Sequence, residues 1–465
     1  MKINIASNEI IHFIGIGGIG MSGLAQIMNN MKFTIQGSDL SHNKNTDRLI
    51  KKGMKVFFGH HQKNLNKATM VVISSAVKKN NIELISAKQK KLPVFKRGEM
   101  LANIVALKKN IVVTGSHGKT TTTSLVANIL VEAGLDPTVI NGGVINSFKN
   151  NAQLGKGEWA VIESDESDGS FLKLPITYSI VTNLDKEHLD FYGSFEKLKK
   201  SFCTFIEKTP SFGKSLICID NNNLKSLIPK CKTRNFLTYG FNKSANYQIT
   251  NVRKKKDCSV FDLKIKFPTS KISNVNNIVV NLIGDHNITN ATASIAIALN
   301  LGVKVNKIKK ALKKFLGIQR RFTKIFTLGK REFYDDYAHH PTEITAVINS
   351  ARQVHKDRKI ICVFQPHRYS RVKFLKNEFA SSFKSSDAVV LCPVYSAGEK
   401  VKYNFNQHSF SKLISHKSKT QVINIQNQEE LKIYFKKNLL ENEMVICMGA
   451  GSISNWIREI GDELK

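Results

Sequence analysis

The chain shows two recurring patterns of apolar and polar residues, short apolar runs and longer stretches of helical period. Near its start, the runs IIHFIG, FTIQG, VVISSAV and LPVFKR are typical of buried strands, and residues 21–31 have a helical pattern. A second series begins with a strand at 111–113 and a helix at 120–132, and a third begins near Arg320. Strands that alternate with helices predict an α/β fold with mostly parallel sheets.

The length of the chain indicates more than one domain. For 465 residues, at about 100–200 residues per domain, we expect three. The three series place these domains at residues 1–105, 106–318 and 319–465. In the third series, the strands of EFYDDYAHHP, KIICVFQPHR, AVVLCPVYSAGE and EMVICMGAGSISNW end in polar or glycine-rich residues, and such ends face the ligand crevice of a parallel sheet.

Composition adds two expectations. No run of about 18 apolar residues occurs, and the start MKINIASNEI lacks the apolar core of a signal peptide, so we expect a cytoplasmic protein without membrane insertion. The seven cysteines are an odd number without a C-x-x-C pair, which argues against a disulfide framework or a zinc site. We interpret them as reduced structural thiols.

The net charge of +34 raises the hypothesis of nucleic-acid binding. The basic clusters are short and scattered, however, and no nucleic-acid-binding motif accompanies them. We therefore expect a solvated basic surface and no nucleic-acid partner.

The stretch FIGIGGIGMSG has the spacing of a dinucleotide-binding loop. Gly15, Gly17 and Gly20 follow an apolar strand, Gly18 lies between them, and Asp39 comes roughly 20 residues later, where a ribose-binding acid would lie. The mechanism is general, because a close-approaching backbone and a helix N-terminus suit any diphosphate. The loop therefore predicts a diphosphate site more firmly than a nicotinamide cofactor.

The stretch VVTGSHGKTTTT predicts a P-loop between a strand and a helix. Lys119 is expected to reach the β- and γ-phosphates, and the Thr120 hydroxyl to bind Mg²⁺. Val113 occupies the position of the usual first glycine, so the match is the shorter G-x-x-G-K-T form. The predicted ATP-binding loop comprises Gly115, Ser116, His117, Gly118, Lys119, Thr120 and Thr121.

Carboxylates and a histidine follow two further strands of the second series. Glu163 ends the strand of WAVIESDESDG, with Asp165, Glu166 and Asp168 after it. His188 follows the strand of VTNLDKEHLDFYG, behind Asn183 and Asp185. Because a nucleoside triphosphate site needs hard ligands for magnesium, Glu163 is a candidate metal ligand. His188 alone is typical of a hydrogen-bonded surface histidine, but a P-loop in the same domain favours a role as a metal ligand.

Several polar residues follow in the remainder of the chain. In GDHNITNA, Asn287 and Asn290 share a helix face, either as capping residues or as an amide pair for the adenine edge. A guanidinium of IQRRF, from Arg320 or Arg321, is predicted to reach a phosphate. Two strand ends of the third series concentrate Asp336, His339, His340, His367, Arg368 and Arg371.

These motifs together resemble the Mur ligases of peptidoglycan precursor synthesis. The ordered set HFIGIGGIGMSGLA, TGSHGKTTTT, ESDESDGSF, TNLDKEHLDFYG, GDHNITNA, QRRF, DDYAHHPTEI, PHRYSR and GAGSI covers nearly the whole chain. The resemblance implies a Rossmann-like N-terminal domain for the UDP-sugar, a central ATP-binding domain, and a Rossmann-like C-terminal domain for the amino acid. We expect a monomer or dimer.

The resemblance implies a reaction as well. ATP, with Mg²⁺, would phosphorylate the lactyl carboxylate of UDP-N-acetylmuramate, and the amine of L-alanine would attack the acyl phosphate, releasing phosphate. Lys119, Glu163 and His188 would be catalytic, with Thr120 and Glu163 at one magnesium and His188 at a second.

Binding roles are implied in the same way. The glycine loop and Asp39 would hold the UDP diphosphate, with His60 and Ser74 as further parts of the pocket. Asn287 and Asn290 would face adenine, Arg321 the phosphates and Asp336 the ribose. The carboxylate and amino-acid pocket would contain His340, His367, Arg368 and Arg371.

Three alternatives stay open. An NAD-dependent oxidoreductase would explain the glycine loop and Asp39 but not the P-loop. A nucleic-acid-binding ATPase would explain the charge and the P-loop, with salt-dependent affinity for DNA as its mark. A peptide-adding member of the same family, which attaches a whole peptide to UDP-N-acetylmuramate, shares most of these motifs.

Overall fold

The computed structural model describes residues 9–148, 150–267, 272–399 and 405–464, and these form α/β layers around three sheets. The chain divides into two compact units. The first comprises Met1–Asn251, Phe261–Val279 and Thr289–Leu316, and the second comprises Val252–Val260, Val280–Ile288 and Gly317–Lys465.

The N-terminal sheet is parallel throughout its described strands. Its elements are β1 (Ile10–Ile14), α1 (Ile19–Asn30), β2 (Thr34–Asp39), α2 (Lys44–Lys51), β3 (Lys55–Phe58), a 3-10 turn (Gln62–Leu65), β4 (Met70–Ile73), α3 (Ile82–Gln89), β5 (Val94–Lys96) and α4 (Arg97–Val105). The strand order is β3-β2-β1-β4-β5. This order brings the carboxyl ends of β1, β2 and β4 side by side, which positions the glycine loop at the switch point of the sheet.

The central sheet is mostly parallel. Its elements are β6 (Lys109–Thr114), α5 (Lys119–Glu132), β7 (Thr138–Ile145), β8 (Asn150–Gln153), β9 (Trp159–Glu163), a 3-10 turn (Ser170–Lys173), β10 (Tyr178–Val181), α6 (Leu189–Tyr192), α7 (Phe195–Glu207), β11 (Ser215–Cys218), α8 (Asn222–Leu227), a 3-10 turn (Ile228–Lys230), β12 (Phe236–Gly240), β13 (Tyr247–Lys254), β14 (Ser259–Ile265), β15 (Asn274–Val280), α9 (Asp285–Asn300) and α10 (Val305–Lys313). The strand order is β15-β14-β13-β12-β11-β10-β6-β9-β7-β8, and β8 pairs antiparallel with β7. The phosphate loop after β6 therefore lies between the ends of β9 and β10.

The C-terminal sheet is buried on both faces. Its elements are β16 (Thr323–Leu328), β17 (Arg331–Asp336), α11 (Pro341–Val354), β18 (Ile360–Phe364), α12 (Tyr369–Phe374), α13 (Lys376–Ser381), β19 (Ala388–Leu391), α14 (Gln407–Ser418), β20 (Gln421–Asn424), α15 (Gln428–Lys437), β21 (Met444–Met448) and α16 (Ile453–Leu464). The order is β16-β17-β21-β18-β19-β20, with β16 antiparallel to β17. Along β18, Ile360, Cys362 and Phe364 face one core and Ile361 and Val363 the other, as the strand period requires.

The two sheets of the first unit are joined by direct contacts. Asn151 on β8 donates from Nδ2 to the carbonyl oxygen of Ile19 at 2.8 Å, and Asn150 donates to Gln26 Oε1 at 2.8 Å. Arg97, at the start of α4, lies 3.4 Å from Asp165 after β9. Helix α1, which follows the glycine loop, is thus held against β8 of the central sheet.

The predicted α/β fold and the mostly parallel central sheet are confirmed. Residues 106–108 join the two sheets of the first unit, between the end of α4 at Val105 and the start of β6 at Lys109. The boundaries at 105/106 and 318/319 stay predictions. None of the helices in the described ranges combines the length and the hydropathy that a membrane span requires.

The cysteines are free thiols, as the sequence predicts. The fold nevertheless brings Cys203 and Cys231 close to Glu207, with ligand atoms within 4.8 Å of one another. Burial raises the pKa of both thiols, so they are protonated at neutral pH. A protonated thiol is a poor nucleophile, which agrees with a structural role.

Candidate active site

The loop after β6 requires glycine at two positions. Gly115 has φ of +136° and Gly118 has φ of +80°, both in the region that disfavours other residues. A Cβ atom on Gly115 would lie 2.0 Å from Thr182 Oγ1, and one on Gly118 would lie 2.6 Å from Asn290 Oδ1. The backbone therefore turns tightly here, and α5 begins directly after it at Lys119.

Lys119 is held inside this turn. Its Nζ donates to the carbonyl oxygens of Gly115 and Ser116 at 2.5 and 3.2 Å, and to Glu166 Oε1 at 2.8 Å. Burial acts to lower the pKa of Lys119, but the charge and the hydrogen bond of Glu166 outweigh it, and the pKa is raised. The ammonium group is therefore a fixed positive charge beside the helix N-terminus, where phosphates bind.

Thr120 and Glu163 are brought together as predicted. The Thr120 hydroxyl donates to Glu163 Oε1 at 3.0 Å, and the backbone N–H of Gly142 donates to Glu163 Oε2 at 2.6 Å. Thr121 is buried in the same first turn of α5. A hydroxyl next to a carboxylate is the oxygen pair that suits a hard cation such as Mg²⁺.

His188 lies in a second group, with two carboxylates for which the sequence suggests no role. Its Nε2 is 3.6 Å from Glu166 Oε1, and the ligand atoms of His188, Glu166 and Glu187 lie within 4.8 Å of one another. Burial lowers the pKa of His188, but Glu166 and Glu187 reverse this effect and raise it. Among the described atoms, Glu166 Oε2 is buried without a hydrogen-bond partner, so the group has an acceptor to offer a cation.

His117 is fixed by groups from the end of β10. Its backbone N–H donates to Asn183 Oδ1 at 2.7 Å, and its Nε2 lies 3.0 Å from Asp185 Oδ2. The Ser116 hydroxyl accepts from the backbone N–H of Asp185 at 2.8 Å. Residues that follow β10 thus hold the phosphate loop in place through these contacts.

The glycine loop of the N-terminal sheet contacts Asp39. The backbone N–H of Gly17 donates to Asp39 Oδ2 at 2.7 Å, and a Cβ on Gly17 would lie 2.9 Å from the same oxygen. The positive φ belongs to Gly15, at +82°, whereas Gly18 precedes α1 in an extended conformation. A Cβ on Gly20 would lie 3.0 Å from Arg97 Nη1.

The other predicted residues of the diphosphate site lie at the same sheet edge. Ser74, after β4, packs against Gly15, where an added Cβ would lie 3.1 Å from the Ser74 Cβ. His60, after β3, has its Nδ1 3.0 Å from Ser38 Oγ at the end of β2. The strand order therefore gathers Gly15, Asp39, His60 and Ser74 at one edge.

The two asparagines of α9 have different partners. Asn290 is buried, and its Oδ1 accepts from the Thr122 hydroxyl at 3.2 Å. Asn287 donates from Nδ2 to the carbonyl oxygen of Ile283 at 2.8 Å, which joins the first turn of α9 to the residues before it. Asn290 thus lies against the phosphate loop through Gly118, and the adenine role of the pair stays a prediction.

In the second unit, Asp336 is held by the backbone. Its carboxylate oxygens accept from the N–H groups of Phe322 and Ala338, each at 2.7 Å. Burial raises the pKa of Asp336 to about 6, against the lowering effect of the nearby Arg321. Both oxygens thus have partners in the protein, so the predicted ribose contact would have to share them.

Arg321 and His340 lie close to this segment. Arg321 Nη1 is 3.8 Å from Glu343 Oε1, and its guanidinium lies 5.5 Å from the centre of the Tyr337 ring. His340 precedes α11, and its Nδ1 accepts from the backbone N–H of Thr342 at 3.3 Å.

His367, Arg368 and Arg371 form one cluster after β18. Arg371 Nη1 lies 3.2 Å from His367 Nδ1, and the His367 ring stacks on Tyr395 with centroids 5.6 Å apart. Burial, aided by His339 and the two arginines, lowers the pKa of His367 to about 3. The imidazole is therefore neutral, and the cluster offers guanidinium charge at the strand end predicted for carboxylate binding.

Three family models match the chain, in the order of its three sheets. The model of the Mur ligase family, catalytic domain, matches residues 10–109, the Mur ligase middle domain matches 113–298, and the Mur ligase, glutamate ligase domain, matches 320–451. The chain belongs to the Mur ligase family. The resemblance seen in the motifs is thereby confirmed.

This Mur ligase is also similar to individual proteins of the family. The UDP-N-acetylmuramate–L-alanine ligase of Pelagibacter ubique is 55% identical over 460 residues, which is 99% of both chains. The crystal structure of UDP-N-acetylmuramate-alanine ligase from Thermotoga maritima superposes with a TM-score of 0.83 at 27% identity, covering 97% of this chain and 98% of that one. A murein peptide ligase from Psychrobacter arcticus has a TM-score of 0.73 at 22% identity, with 98% of both chains covered, and shows the same fold.

The predicted site residues of this Mur ligase thus fall into groups around the glycine loop, the P-loop and the C-terminal strand ends. The sequence predicts His117 as part of the ATP-binding loop, but it assigns no site role to Glu166, Glu187 or Asp185. Glu166 and Asp185 stand in stretches that it had singled out, so the density of acidic residues after two strands was the available signal. No local sequence pattern shows which of these carboxylates is buried, because burial depends on packing between segments that are distant in sequence.

Proposed function

We propose that this Mur ligase joins L-alanine to the lactyl carboxylate of UDP-N-acetylmuramate and converts ATP to ADP and phosphate. The observation that carries the proposal is the 55% identity, over 99% of both chains, to a relative named for this reaction. The P-loop supports it, because Lys119 and the start of α5 form a phosphate site beside the carboxylates of β9.

The chemistry follows from charge. A carboxylate is a poor electrophile because it is negative and its oxide is a poor leaving group. Transfer of the γ-phosphoryl group to a carboxylate oxygen makes that oxygen part of a good leaving group, and the amine of L-alanine then forms the amide bond as phosphate departs. The protein's task is to position the reactants and to balance phosphoryl charge, for which Lys119 supplies a fixed ammonium group.

The residues present fit a magnesium-dependent site. The fit rests on the Thr120–Glu163 oxygen pair and on the unsatisfied Oε2 of Glu166 among the described atoms. We propose that Thr120 and Glu163 hold one Mg²⁺ and that His188, with Glu166 and Glu187, holds a second. A bound Mg²⁺ would neutralise charge on the phosphates and the sugar carboxylate.

We propose binding roles for the remaining site residues as well. The glycine loop with Asp39, His60 and Ser74 would hold the UDP-sugar. Asn287 and Asn290 would face adenine, Arg321 the phosphates and Asp336 the ribose. His340, His367, Arg368 and Arg371 would form the carboxylate and amino-acid pocket. We also propose domain boundaries at 105/106 and 318/319, a monomeric or dimeric state and a cytoplasmic location.

Membership of the Mur ligase family decides between the broad alternatives. An NAD-dependent oxidoreductase and a nucleic-acid-binding ATPase both leave the matching order of three Mur ligase domains unexplained. The peptide-adding ligase is the closer rival, since a murein peptide ligase shares the fold. The identity of the attacking amine is therefore the property to test.

We expect ADP release to require UDP-N-acetylmuramate and L-alanine together, because the acyl phosphate turns over only when a free amine attacks it. Glycine and L-serine should react about 10- to 200-fold less efficiently, since one small group changes pocket binding only modestly. The measurement is a coupled ADP-release assay with a panel of amino acids and the tripeptide L-alanyl-D-glutamyl-diaminopimelate. Equal turnover with D-glutamate, or robust turnover with the tripeptide, would contradict the proposal.

A further inference from the structure

A carboxylate is buried beneath the glycine loop, where the mechanism described above does not use it. Glu83 lies in the first turn of α3, which Asn81 caps by accepting from the backbone N–H groups of Glu83 and Leu84. Its side chain has no exposed surface. A fully buried carboxylate is costly unless several donors surround it, so its partners show what it organises.

Five groups approach the two oxygens of Glu83. Oε1 accepts from Asn64 Nδ2 at 2.6 Å and from the backbone N–H of His61 at 3.2 Å. Oε2 accepts from the Ser38 hydroxyl at 2.5 Å and lies 3.2 Å from His60 Nδ1 and 3.4 Å from His12 Nε2. These partners come from β1, from the end of β2 and from the segment after β3, so Glu83 ties three parts of the sheet edge together.

Glu83 is ionised in this setting. Burial acts to raise its pKa, but the hydrogen bonds from His12, Ser38 and Asn64 together lower it to about 2. Each neighbour therefore presents a hydrogen to a full negative charge. Such charge-assisted bonds are stronger and more directional than neutral ones.

The hydrogens on the two histidines can be placed from their partners. The Ser38 hydroxyl donates its hydrogen to Glu83. Ser38 Oγ therefore acts as an acceptor toward His60 Nδ1, 3.0 Å away. His60 Nδ1 thus faces two acceptors and must carry a hydrogen, which leaves Nε2 as the atom for a ligand. His12 differs, because Gln36 Nε2 donates to its Nδ1 at 3.2 Å and its Nε2 then donates to Glu83.

Exposure separates the two histidines as well. The His12 side chain is fully buried, whereas 16% of the His60 side chain is exposed. Ser38 also precedes Asp39, whose carboxylate holds the backbone N–H of Gly17. Of these two histidines, only His60 therefore reaches the surface on which the glycine loop would bind a diphosphate.

We propose that Glu83 is a positioning residue for the UDP-sugar: through Ser38 and His60 Nδ1 it holds the His60 ring so that Nε2 meets an oxygen of the nucleotide-sugar. Glu83 itself touches no substrate. The inference rests on the proposed function, because it takes the ligand of this edge to be a UDP-sugar.

Glu83→Gln tests the role of the negative charge of Glu83. Both oxygens of Glu83 accept from donors, so an amide nitrogen at either position would place its hydrogens against the hydrogen of a neighbouring donor. His60→Asn keeps an N–H near the Nδ1 position and removes Nε2. We expect each variant to raise the dissociation constant for UDP-N-acetylmuramate about tenfold, with the KM for ATP unchanged within about twofold. Ser38→Ala removes the hydroxyl that bridges the two residues but leaves the direct contact of His60 Nδ1 with Glu83 Oε2, so it should have an intermediate effect on the same constant.

A double-mutant cycle separates positioning from general stability. In a His60→Asn background, Glu83→Gln should change the dissociation constant by less than about twofold, because the group that it positions is gone. Glu99→Gln is the matched control, since Glu99 in α4 pairs with Lys173 and contacts no residue of this cluster in the described structure. Glu99→Gln should leave UDP-sugar affinity unchanged.

Histidine ring nitrogen-15 spectra of the full chain give an independent readout in the absence of substrate. The wild-type protein should show His60 with hydrogen on Nδ1, assigned by the signal lost in His60→Asn, and Glu83→Gln should remove this preference. Calorimetric titration with UDP-N-acetylmuramate completes the test. If the wild type binds the UDP-sugar and Glu83→Gln or His60→Asn binds it equally well, the inference is wrong and the proposed function stands. If the wild type does not bind it, both are wrong.

Discussion

Lys119→Ala is expected to reduce the rate of ADP formation by about a thousandfold or more, since it removes a fixed positive charge from the site of phosphoryl transfer. Lys119 Nζ donates to two carbonyl oxygens of its own loop and to Glu166, so its ammonium group is held at the start of α5. The dissociation constant for UDP-N-acetylmuramate should change by less than about threefold, because the glycine loop is built on a different sheet. Single-turnover kinetics and calorimetric titration measure the two quantities.

Lys108→Ala is a matched control for this prediction. Lys108 precedes the other end of β6, and its Nζ also donates to two carbonyl oxygens, those of Gly155 and Gly157. This variant should lose some thermal stability and keep its turnover number. A Lys119→Ala protein that loses UDP-sugar affinity as severely as it loses rate would show that the P-loop has been assigned to the wrong ligand.

Glu163→Gln is expected to lower the turnover number by about a hundredfold and to raise the magnesium concentration needed for half-maximal rate. The carboxylate is anchored on both sides, by the Thr120 hydroxyl and by the backbone N–H of Gly142. The amide keeps the size of the side chain and removes its charge, so the loss reports on cation binding. A magnesium titration of the steady-state rate measures both effects.

Asp168→Asn serves as the control in the same acidic stretch. Asp168 accepts from the backbone N–H of Ser170 and contacts neither Thr120 nor Glu163 in the described structure. Its substitution should leave the magnesium dependence unchanged. If Glu163→Gln lowers the rate with an unchanged magnesium requirement, Glu163 acts in some way other than holding the cation.

Local sequence signals were sufficient for much of this molecule. The strand at β18 could be predicted because five consecutive apolar residues, 360–364, fit a strand buried on both faces. The P-loop could be predicted because its glycines, lysine and threonine are adjacent in sequence, and only the turn that they form is needed to bring them together.

Contacts between distant segments were not available from the sequence. Lys119 and Glu166 are separated by 47 positions, and Ser38 and Glu83 by 45. The strand order that makes them neighbours is a property of the whole sheet, and no local pattern distinguishes a buried Glu83 from an exposed helix carboxylate.

In the proposed reaction, the sugar carboxylate is activated by phosphorylation and is then attacked by the amine of L-alanine. The most direct measurement uses UDP-N-acetylmuramate with oxygen-18 in both lactyl carboxylate oxygens, incubated with ATP, L-alanine and the wild-type protein. Phosphoryl transfer makes one labelled oxygen the bridge to phosphorus, and attack by the amine releases it with the phosphate. We predict that mass spectrometry will find one labelled oxygen in the phosphate and one in the amide carbonyl of the product. Phosphate without label, or labelled phosphate formed without an L-alanine adduct, would contradict this account.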